Sequence, residues 1–497
     1  MPDRPNILFI MADQMIPHLT GAYGHSVVQT PHLNRLVEEG VRFDAAYSSC
    51  PLCAPARASL YTGRFVSRIG AYDNATPFSS EQPTLCHYLT NAGYETVSSG
   101  KLHYVGPDQL HGFRHRLNAD IYPASLEWTP TSVRDGDDAT IDRRSHARGY
   151  ALPNVGVRTW SKFLAYDAET QYRAVEYLHN RTLAPTGPDA EPFFLSVSFH
   201  CPHDPFFVTQ DLWDLYEGRE IAIPTYPENM EETYSAMDRW LNAYHGTDRI
   251  DIRRPESLTA LRRSYYGLVT WIDRQVGELM GALAHTGFLD NTLVIFASDH
   301  GDMLAEKNMV QKRSFYEYSC RVPLIMRFPD GYGAGTACAQ PASLMDITPT
   351  LLDIVGVGER MPMEGRSLLP CIEGGEADRV VFAESHTNGV YAPCFMARQA
   401  DLKYVYIHGR APQLFDVRRD PGEWHNLAGT PEHAAVEADL RGRILATFDP
   451  DAIERDLVES LRNRAIVQEA LVRNKTHWEY EPRFDVTYPY TPGRPKA

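Results

Sequence analysis

The chain has 497 residues, of which 43% are hydrophobic and 23% charged, and its formal net charge is −16 at pH 7. These values are typical of an ordinary globular protein, and the length suits a large α/β domain with a smaller companion. The acidic balance argues against nucleic acid or an anionic membrane as a partner, and no apolar run approaches the about 20 residues of a membrane-spanning helix.

Short apolar strands alternate with helices over the first part of the chain. Alternation of this kind predicts an α/β fold with a large, mostly parallel sheet sandwiched by helices. The predicted strands are 6–12, 95–99, 193–199 and 292–297, and the predicted helices are 31–39, 55–61, 83–92, 167–181 and 256–286.

The pattern changes after about residue 370. Short β-like pieces at 402–407 and 413–417 precede helical pieces near 431–447 and 452–472. We therefore predict a catalytic domain over 1–370, a smaller C-terminal α+β subdomain over 371–474, and an aromatic, proline-rich tail over 475–497.

Two further segments are informative. Residues 102–160 are polar and rich in turn residues, which predicts a long insertion over the site. The tail carries Trp478, Tyr480 and Tyr488, and we expect it to pack on the body or on a neighbouring subunit, which predicts a homo-oligomer.

The compartment is predicted from the N-terminus and the cysteines. The first predicted strand begins at Asn6 and leaves no room for a removable leader before it. Eight cysteines without regular spacing suit reduced thiols better than a disulfide framework. We expect a cytoplasmic location.

The run from Cys53 to Arg64 reads C-x-P-x-R followed by a short apolar turn and T-G-R. Pro55 suits the first turn of a helix, so Cys53 is expected at the N-terminus of that helix, where free N–H groups favour an anion. Arg57, one turn later, adds a planar cation suited to tetrahedral oxyanions. A buried thiol before an ordinary helix, or a redox or zinc pair of Cys50 with Cys53, are the alternatives, although no second pair follows at zinc spacing.

Polar residues follow four of the predicted strands at their carboxyl ends. Ligands of open α/β sheets bind beyond these ends, so we expect the side chains to share one site. They are Asp13 after the first strand, Lys101 and His103 after 95–99, His200 and His203 after 193–199, and Asp299 with His300 after 292–297.

The run that begins at Cys53 resembles the signature of type I sulfatases of the alkaline phosphatase superfamily. In that family a maturation enzyme converts the cysteine to Cα-formylglycine. The resemblance implies an alkaline-phosphatase-like fold and a site with one divalent metal. Carried onto this sequence, the resemblance gives as metal ligands Asp13, the modified Cys53, Asp299 and His300. The cations that contact sulfate are Arg57, Lys101 and Lys312. His103 lies beside the formylglycine, and His203 protonates the leaving group.

The reaction implied by the resemblance is hydrolysis of a sulfate monoester to an alcohol and inorganic sulfate. Hydrated formylglycine is a geminal diol, one hydroxyl of which attacks sulfur in line. His203 then protonates the departing alkoxide, the second hydroxyl loses its proton to His103, and the aldehyde forms again as sulfate leaves.

Two pairs of residues bear on the metal. Many calcium sulfatases have Asp-Asp after the first strand and Asp-Asn after the later one, whereas this chain has Asp13-Gln14 and Asp299-His300. Replacing a carboxylate and adding an imidazole favours Mn²⁺ over the alternative, Ca²⁺. These variants resemble choline sulfatases and phosphonate monoester hydrolases.

The stretches 70–74, 104–113 and 120–124 look closer to choline sulfatases. Trp128 is a candidate to face a quaternary ammonium through a cation–π contact, with simple packing as the alternative. Asn388 stands where the choline sulfatase pattern has an acidic residue that helps to hold the ammonium. A choline-sulfate-like ester or another small alkyl or aryl sulfate is the expected substrate, and a phosphonate monoester or phosphate diester is the alternative. Two other readings remain: binding without turnover if Cys53 is never matured, and a metal-dependent phosphatase that uses the thiol directly.

Overall fold

The computed structural model describes residues 4–130, 155–184, 190–375 and 378–475. The strands are β1 (Asn6–Asp13), β2 (Val41–Phe43), β3 (Ala46–Tyr47), β4 (Glu95–Gly100), β5 (His115–Arg116), β6 (Val155–Val157), β7 (Phe193–Pro202), β8 (Phe206–Val208), β9 (Thr292–Ser298), β10 (Arg321–Val322), β11 (Leu324–Arg327), β12 (Thr336–Cys338), β13 (Ala342–Ser343), β14 (Val380–Ser385), β15 (Cys394–Gln399), β16 (Leu402–Ile407) and β17 (Gln413–Asp416). The α-helices are α1 (Pro31–Glu39), α2 (Cys53–Thr62), α3 (Val66–Ile69), α4 (Leu85–Asn91), α5 (Lys162–Arg181), α6 (Gln210–Asp214), α7 (Ala236–His245), α8 (Pro255–His285), α9 (Glu317–Cys320), α10 (Ile347–Ile354), α11 (Leu369–Ile372), α12 (Ala434–Thr447) and α13 (Pro450–Asn474).

An eight-stranded sheet with the order β12-β2-β11-β9-β1-β7-β4-β5 forms the centre of the molecule. Its pairings are parallel except for those of β11, which runs antiparallel to β2 and β9. The predicted mostly parallel sheet is confirmed. The sheet places the carboxyl ends of β1, β4, β7 and β9 side by side at one edge, where ligands of such sheets bind.

Both faces of the sheet are covered, which is why β1 is apolar without alternation. Leu8 and Ile10 of β1 join one core cluster with residues of α1, α5 and α8, whereas Ile7 and Phe9 join a second cluster with residues of α2, α4 and α10. All eight residues of β1 are buried. The predicted sandwich of helices around the sheet is therefore observed.

Several predicted elements extend by a residue or two in the structure, and α5 and β7 extend further. Helix α5 begins at Lys162 rather than at 167, because the Ser161 hydroxyl accepts a hydrogen bond from the Phe163 N–H and caps the helix there. Strand β7 continues past residue 199 to Pro202. Of the predicted insertion over 102–160, residues 102–130 contain only the short β5. Residues 131–154 and the tail from 476 lie outside the described residues.

A four-stranded antiparallel sheet, β14-β15-β16-β17, follows the main sheet in the chain. Helices α12 and α13 cover one of its faces through a cluster that includes Phe395, Tyr404, Leu440 and Leu457. The boundaries at 370 and 474 stay predictions. Within the described ranges, no helix has both the length and the apolar character needed to cross a bilayer.

Gly100, the last residue of β4, has a left-handed φ of 95°, and a Cβ there would lie 2.0 Å from the Ser198 carbonyl oxygen. Gly24 has nearly the same φ, 94°, but no heavy atom of the described residues lies within 4 Å of the corresponding Cβ position. We expect Gly24→Ala to lower the free energy of unfolding by about 1 kcal/mol, the cost of the left-handed conformation. Gly100→Ala should cost at least about 2 kcal/mol more, because the added carbon meets rigid backbone. Urea denaturation of both variants measures the difference, and equal losses would contradict this reading of the strand end.

Candidate functional site

Four side chains converge at the carboxyl ends of neighbouring strands. Asp13 ends β1, Asp299 and His300 directly follow β9, and Cys53 begins α2. All four are buried, and their ligand atoms lie within 4.8 Å of one another. The structure therefore brings together the four residues that the sequence analysis predicted as metal ligands.

The position of Cys53 follows from the local sequence of α2. Pro55 occupies the first turn, and the Ala54 N–H donates to the Asn74 side-chain oxygen at 3.0 Å. At the other end Gly63 adopts a left-handed φ of 67° and its N–H donates to the Ser59 carbonyl, which closes the helix. The Cys53 side chain consequently projects into the site from a helix N-terminus.

The cysteine lies among charged partners. Its Sγ is 3.0 Å from His300 Nε2 and 3.9 Å from Asp13 Oδ1. Burial and Asp13 raise the pKa of the Cys53 thiol, but Lys101, Lys312 and His300 outweigh them, so the net shift is downward. The site thus favours negative charge at position 53.

Arg57, one turn into α2, is fully enclosed by acceptors. Its Nε donates to Asp299 Oδ2 at 2.9 Å and its Nη2 to Asp13 Oδ2 at 3.3 Å. Its Nη1 donates to the Lys101 carbonyl at 2.8 Å and to the Ser198 hydroxyl at 2.7 Å. The guanidinium is therefore held in one orientation between the two carboxylates.

Two lysines complete the positive charge. Lys101, directly after β4, forms an ion pair with Asp13. Burial alone would raise the pKa of Asp13, but Lys101, His203, His300 and Arg57 hold it well below its usual value. The carboxylate is consequently ionised across the neutral range.

Lys312 lies in the segment between β9 and α9 and contacts two partners. Its Nζ donates to His203 Nε2 at 2.6 Å and also to the Gln14 side-chain oxygen. His203 Nδ1–H donates to the Asp204 carbonyl at 2.8 Å, which leaves Nε2 to accept from the lysine. Burial and then Lys312 lower the pKa of His203 well below its usual value.

Gln14, which was predicted only to replace a carboxylate after Asp13, also belongs to the site. It has a left-handed φ of 69°, and its N–H donates to Asp299 Oδ1 at 3.2 Å. Its side chain also contacts Asp302 and lies 3.4 Å from Asp204. The signal available in the sequence was its place next to Asp13 at the end of a buried strand.

His103 is buried with both ring nitrogens lacking a hydrogen-bond partner among the described residues. Its backbone N–H donates to Asp120 at 2.7 Å, which supports its left-handed φ of 56°. Burial and then Lys101 and Arg57 lower its pKa well below the usual value. The imidazole is therefore neutral and open to a partner that the described residues do not provide.

An aromatic wall surrounds this histidine. The centre of the Tyr122 ring lies 4.8 Å from that of the His103 ring and 5.0 Å from that of the Trp128 ring. The Lys101 Nζ lies 4.4 Å from the centre of the Tyr122 ring. The Trp128 and His103 ring centres are 5.7 Å apart, and Trp128 is 40% exposed. Trp128 thus borders the site with part of its surface exposed, and its contact with substrate stays a prediction.

Asn388 lies on the loop after β14, with a left-handed φ of 55°. In the described part of the chain, no hydrogen bond joins its side chain to the four converging ligands, and its buried Oδ1 has no partner. The following Gly389 packs against the Tyr244 ring, where an added Cβ would lie 2.5 Å away. Tyr244 in turn faces Arg313, whose neighbour is Lys312. The proposed role of Asn388 stays a prediction.

The donor set fits a divalent cation. His300 Nδ1–H donates to the Gly301 carbonyl at 3.0 Å, and this tautomer leaves the lone pair of Nε2 directed at the cluster. Two carboxylates, this imidazole nitrogen and an oxygen or sulfur at position 53 suit a borderline metal. Cys50 is not part of the cluster within the described ranges, and burial raises its pKa well above the usual value, so the alternative of a paired C-x-x-C site gains no support.

Comparison with known proteins agrees with this geometry. Residues 5–357 match the family model described as Sulfatase, and residues 305–449 match the model described as N-sulphoglucosamine sulphohydrolase, C-terminal. The choline-sulfatase of Rhizobium meliloti (strain 1021) is 38% identical over 96% of this chain and 94% of its own length. Arylsulfatase K of Danio rerio is 30% identical over 86% of this chain and 80% of its own.

Solved structures share the fold. The phosphonate monoester hydrolase of Agrobacterium radiobacter superposes with a TM-score of 0.71 over 89% of this chain and 95% of that one, at 24% sequence identity. The likeness confirms the alkaline-phosphatase-like architecture that was predicted from the sequence.

Proposed function

This chain belongs to the sulfatase family and is a sulfuric ester hydrolase, and on that premise we propose that it cleaves a small alkyl sulfate, with choline sulfate as the first candidate, through formylglycine at position 53. The observation that carries the proposal is the convergence of Cys53, Asp13, Asp299 and His300, with Arg57 between the carboxylates. Maturation is an oxidation for which a separate enzyme supplies the oxidant.

The metal of this proposal is one divalent ion held by Asp13, Asp299, His300 and residue 53, with Mn²⁺ favoured over Ca²⁺ because of the imidazole ligand. When bound, it supplies Lewis-acid polarisation of a sulfuryl oxygen and lowers the pKa of the attacking hydroxyl. Arg57, Lys101 and Lys312 then balance the charge that develops on the remaining oxygens.

Two proton transfers are assigned to the histidines. The alkoxide that departs needs a proton, and the proposal assigns its delivery to His203, whose Nε2 accepts a hydrogen bond of 2.6 Å from Lys312 Nζ and so lies next to a proton donor. The second diol hydroxyl must lose a proton before the aldehyde forms again. His103 is the acceptor in this proposal, since its ring nitrogens have no partner among the described residues.

The choice of choline sulfate has two supports. One is the 38% identity to a protein named choline-sulfatase. The other is the aromatic wall of His103, Tyr122 and Trp128, since aromatic faces attract quaternary ammonium groups.

Initial rates test the substrate. The protein, with Cys53 shown by peptide mass spectrometry to be formylglycine and loaded with Mn²⁺, is compared on choline sulfate, 4-nitrophenyl sulfate and an aryl phosphonate monoester. We expect the highest kcat/KM on choline sulfate. A faster phosphonate reaction would replace this proposal with the alternative of a phosphonate monoester or phosphate diester hydrolase.

Trp128→Leu is expected to raise KM for choline sulfate by about 2- to 30-fold, which corresponds to a cation–π contact of about 0.5–2 kcal/mol. The neutral isostere 3,3-dimethylbutyl sulfate is the matched control, because it has the same shape without the charge. Its KM should change by less than about 2-fold on the same scale. Equal changes for both esters would assign Trp128 to packing rather than to cation recognition.

We further propose that the protein is cytoplasmic and forms a homo-oligomer. All eight cysteines carry buried thiols, which suits a reducing compartment. Ile466 and Val472 of α13 are 69% and 65% exposed, which supports a partner at this end of the helix. Cell fractionation and light scattering test the two statements, and a monomer would remove the second.

A further inference from the structure

The end of β7, which carries His200 and leads to His203, departs from the regular pairing of the sheet. Met11 of β1 pairs with Ser198, but Asp13 pairs with Pro202, so β7 advances four residues while β1 advances two. The pairing of β7 with β4 also ends at Ser198. A bulge of this kind redirects side chains and leaves its backbone N–H groups without ladder partners.

Asp167 satisfies the N–H groups of this bulge. It lies in α5 with its side chain fully buried, and its Oδ1 accepts from the His200 N–H at 2.6 Å while its Oδ2 accepts from the Cys201 N–H at 3.0 Å. Burial raises the pKa of Asp167 to about 6, so the ionised form, which accepts both bonds, predominates at neutral pH. One carboxylate therefore holds two successive residues of the bulge.

The same face of α5 also contacts the histidine ring. Phe163, one turn before Asp167, stacks on the His200 ring with centroids 4.3 Å apart. The His200 carbonyl then accepts from the His203 N–H at 3.1 Å, so a constraint on His200 reaches His203 across a single turn. The rings of these two histidines lie 4.9 Å apart.

We propose that Asp167 is a positioning residue for protonation of the leaving group, because it holds the bulge in the shape that directs His200 and His203 into the site. This inference rests on the proposed function. It assigns a role in the reaction to a residue of α5 that does not touch the four converging ligands. Esters whose leaving groups differ in their need for a proton distinguish this role from plain structural support.

The test compares Asp167→Asn with wild type on an alkyl sulfate and on 4-nitrophenyl sulfate. The amide keeps the size of the side chain but offers an N–H where the bulge needs an acceptor. An alkoxide needs a proton as it leaves, whereas 4-nitrophenolate departs without one. We expect kcat on the alkyl ester to fall by about 100-fold, within the range of general acid catalysis, and kcat on the aryl ester by less than about 5-fold.

Asp273→Asn is the matched control. Asp273 of α8 is also fully buried and accepts from two successive N–H groups, those of Leu33 at 2.8 Å and His32 at 3.2 Å. Burial raises its pKa to about 6 as well. It supports the start of α1 and not the site. This variant should lose thermal stability comparably and change both esters by the same factor.

An equal loss on both esters in Asp167→Asn would overturn the proposal and leave Asp167 a structural residue. If that variant does not fold, Phe163→Leu, which removes the ring that stacks on His200, is measured on the same pair, and an unchanged alkyl-to-aryl ratio would be equally contrary. If wild type hydrolyses phosphonate monoesters instead of sulfates, the proposed function fails, and alkyl and aryl phosphonates then decide the role of Asp167.

Discussion

Cys53→Ala is expected to reduce turnover of every sulfate ester by a factor on the order of 10⁴ or more, the scale seen when a nucleophile is removed. The residue is the proposed precursor of the nucleophile and lies 3.0 Å from His300 Nε2 at the start of α2. Because alanine cannot form the diol, only binding and the cation cluster remain. Steady-state rates of the Mn²⁺-loaded variant measure the loss.

Cys53→Ser distinguishes formylglycine chemistry from direct attack. A serine hydroxyl can attack sulfur, but the resulting sulfate ester has no second hydroxyl through which to expel sulfate. We expect one equivalent of alcohol per site, no further turnover, and a sulfuryl group on the peptide that contains residue 53. Full activity of unmodified Cys53 protein, with no aldehyde by mass spectrometry, would instead support a thiol-dependent phosphatase or sulfatase.

Removal of divalent metal by a chelator is expected to abolish activity, and Mn²⁺ should restore it better than Ca²⁺. The cluster joins two carboxylates to an imidazole whose Nδ1–H is committed to the Gly301 carbonyl, which leaves Nε2 for the metal. His300→Asn exchanges that nitrogen for an amide oxygen. Loss of a residue that only hydrogen-bonds to a metal ligand lowers metal affinity by about 10- to 100-fold, and the loss of Mn²⁺ affinity in this variant should be larger. The affinity for Ca²⁺ should rise relative to that for Mn²⁺, because an amide oxygen suits Ca²⁺ better than it suits Mn²⁺.

His111→Asn is the control for this exchange. His111 is equally buried but stacks on Phe78, with ring centroids 4.0 Å apart, and takes no part in the cluster. We expect it to lower stability without altering the metal preference measured by calorimetric titration. An unchanged ratio of Mn²⁺ to Ca²⁺ affinity in His300→Asn would contradict the assignment of the imidazole as a ligand.

Local sequence patterns predicted the four central parallel strands, two strands of the C-terminal sheet, the longest helices and the residues at the ends of the central strands. Each of these depends on neighbours within a few positions: the uninterrupted apolar run of β1, the proline in the first turn of α2, and the glycine that closes that helix. The parallel sheet then implies that its carboxyl ends meet. For this reason the convergence of Asp13 with Asp299 was predictable, although 286 positions (299 − 13) separate the two residues in the chain.

Contacts between side chains of distant elements were not predictable. Gln14 contacts Lys312 across 298 positions, Tyr122 approaches His200 to 2.9 Å, and Asp167 lies beneath the bulge of β7. No local pattern marks such partners, because the choice depends on backbone geometry that appears only when strands and helices pack. The sequence by itself determined the class of fold, the position of the proposed nucleophile and the charge types at the strand ends. Tertiary packing alone decided which groups hold the histidines, since hydrogen bonds require angles and distances of a few ångströms that spacing along a chain does not specify.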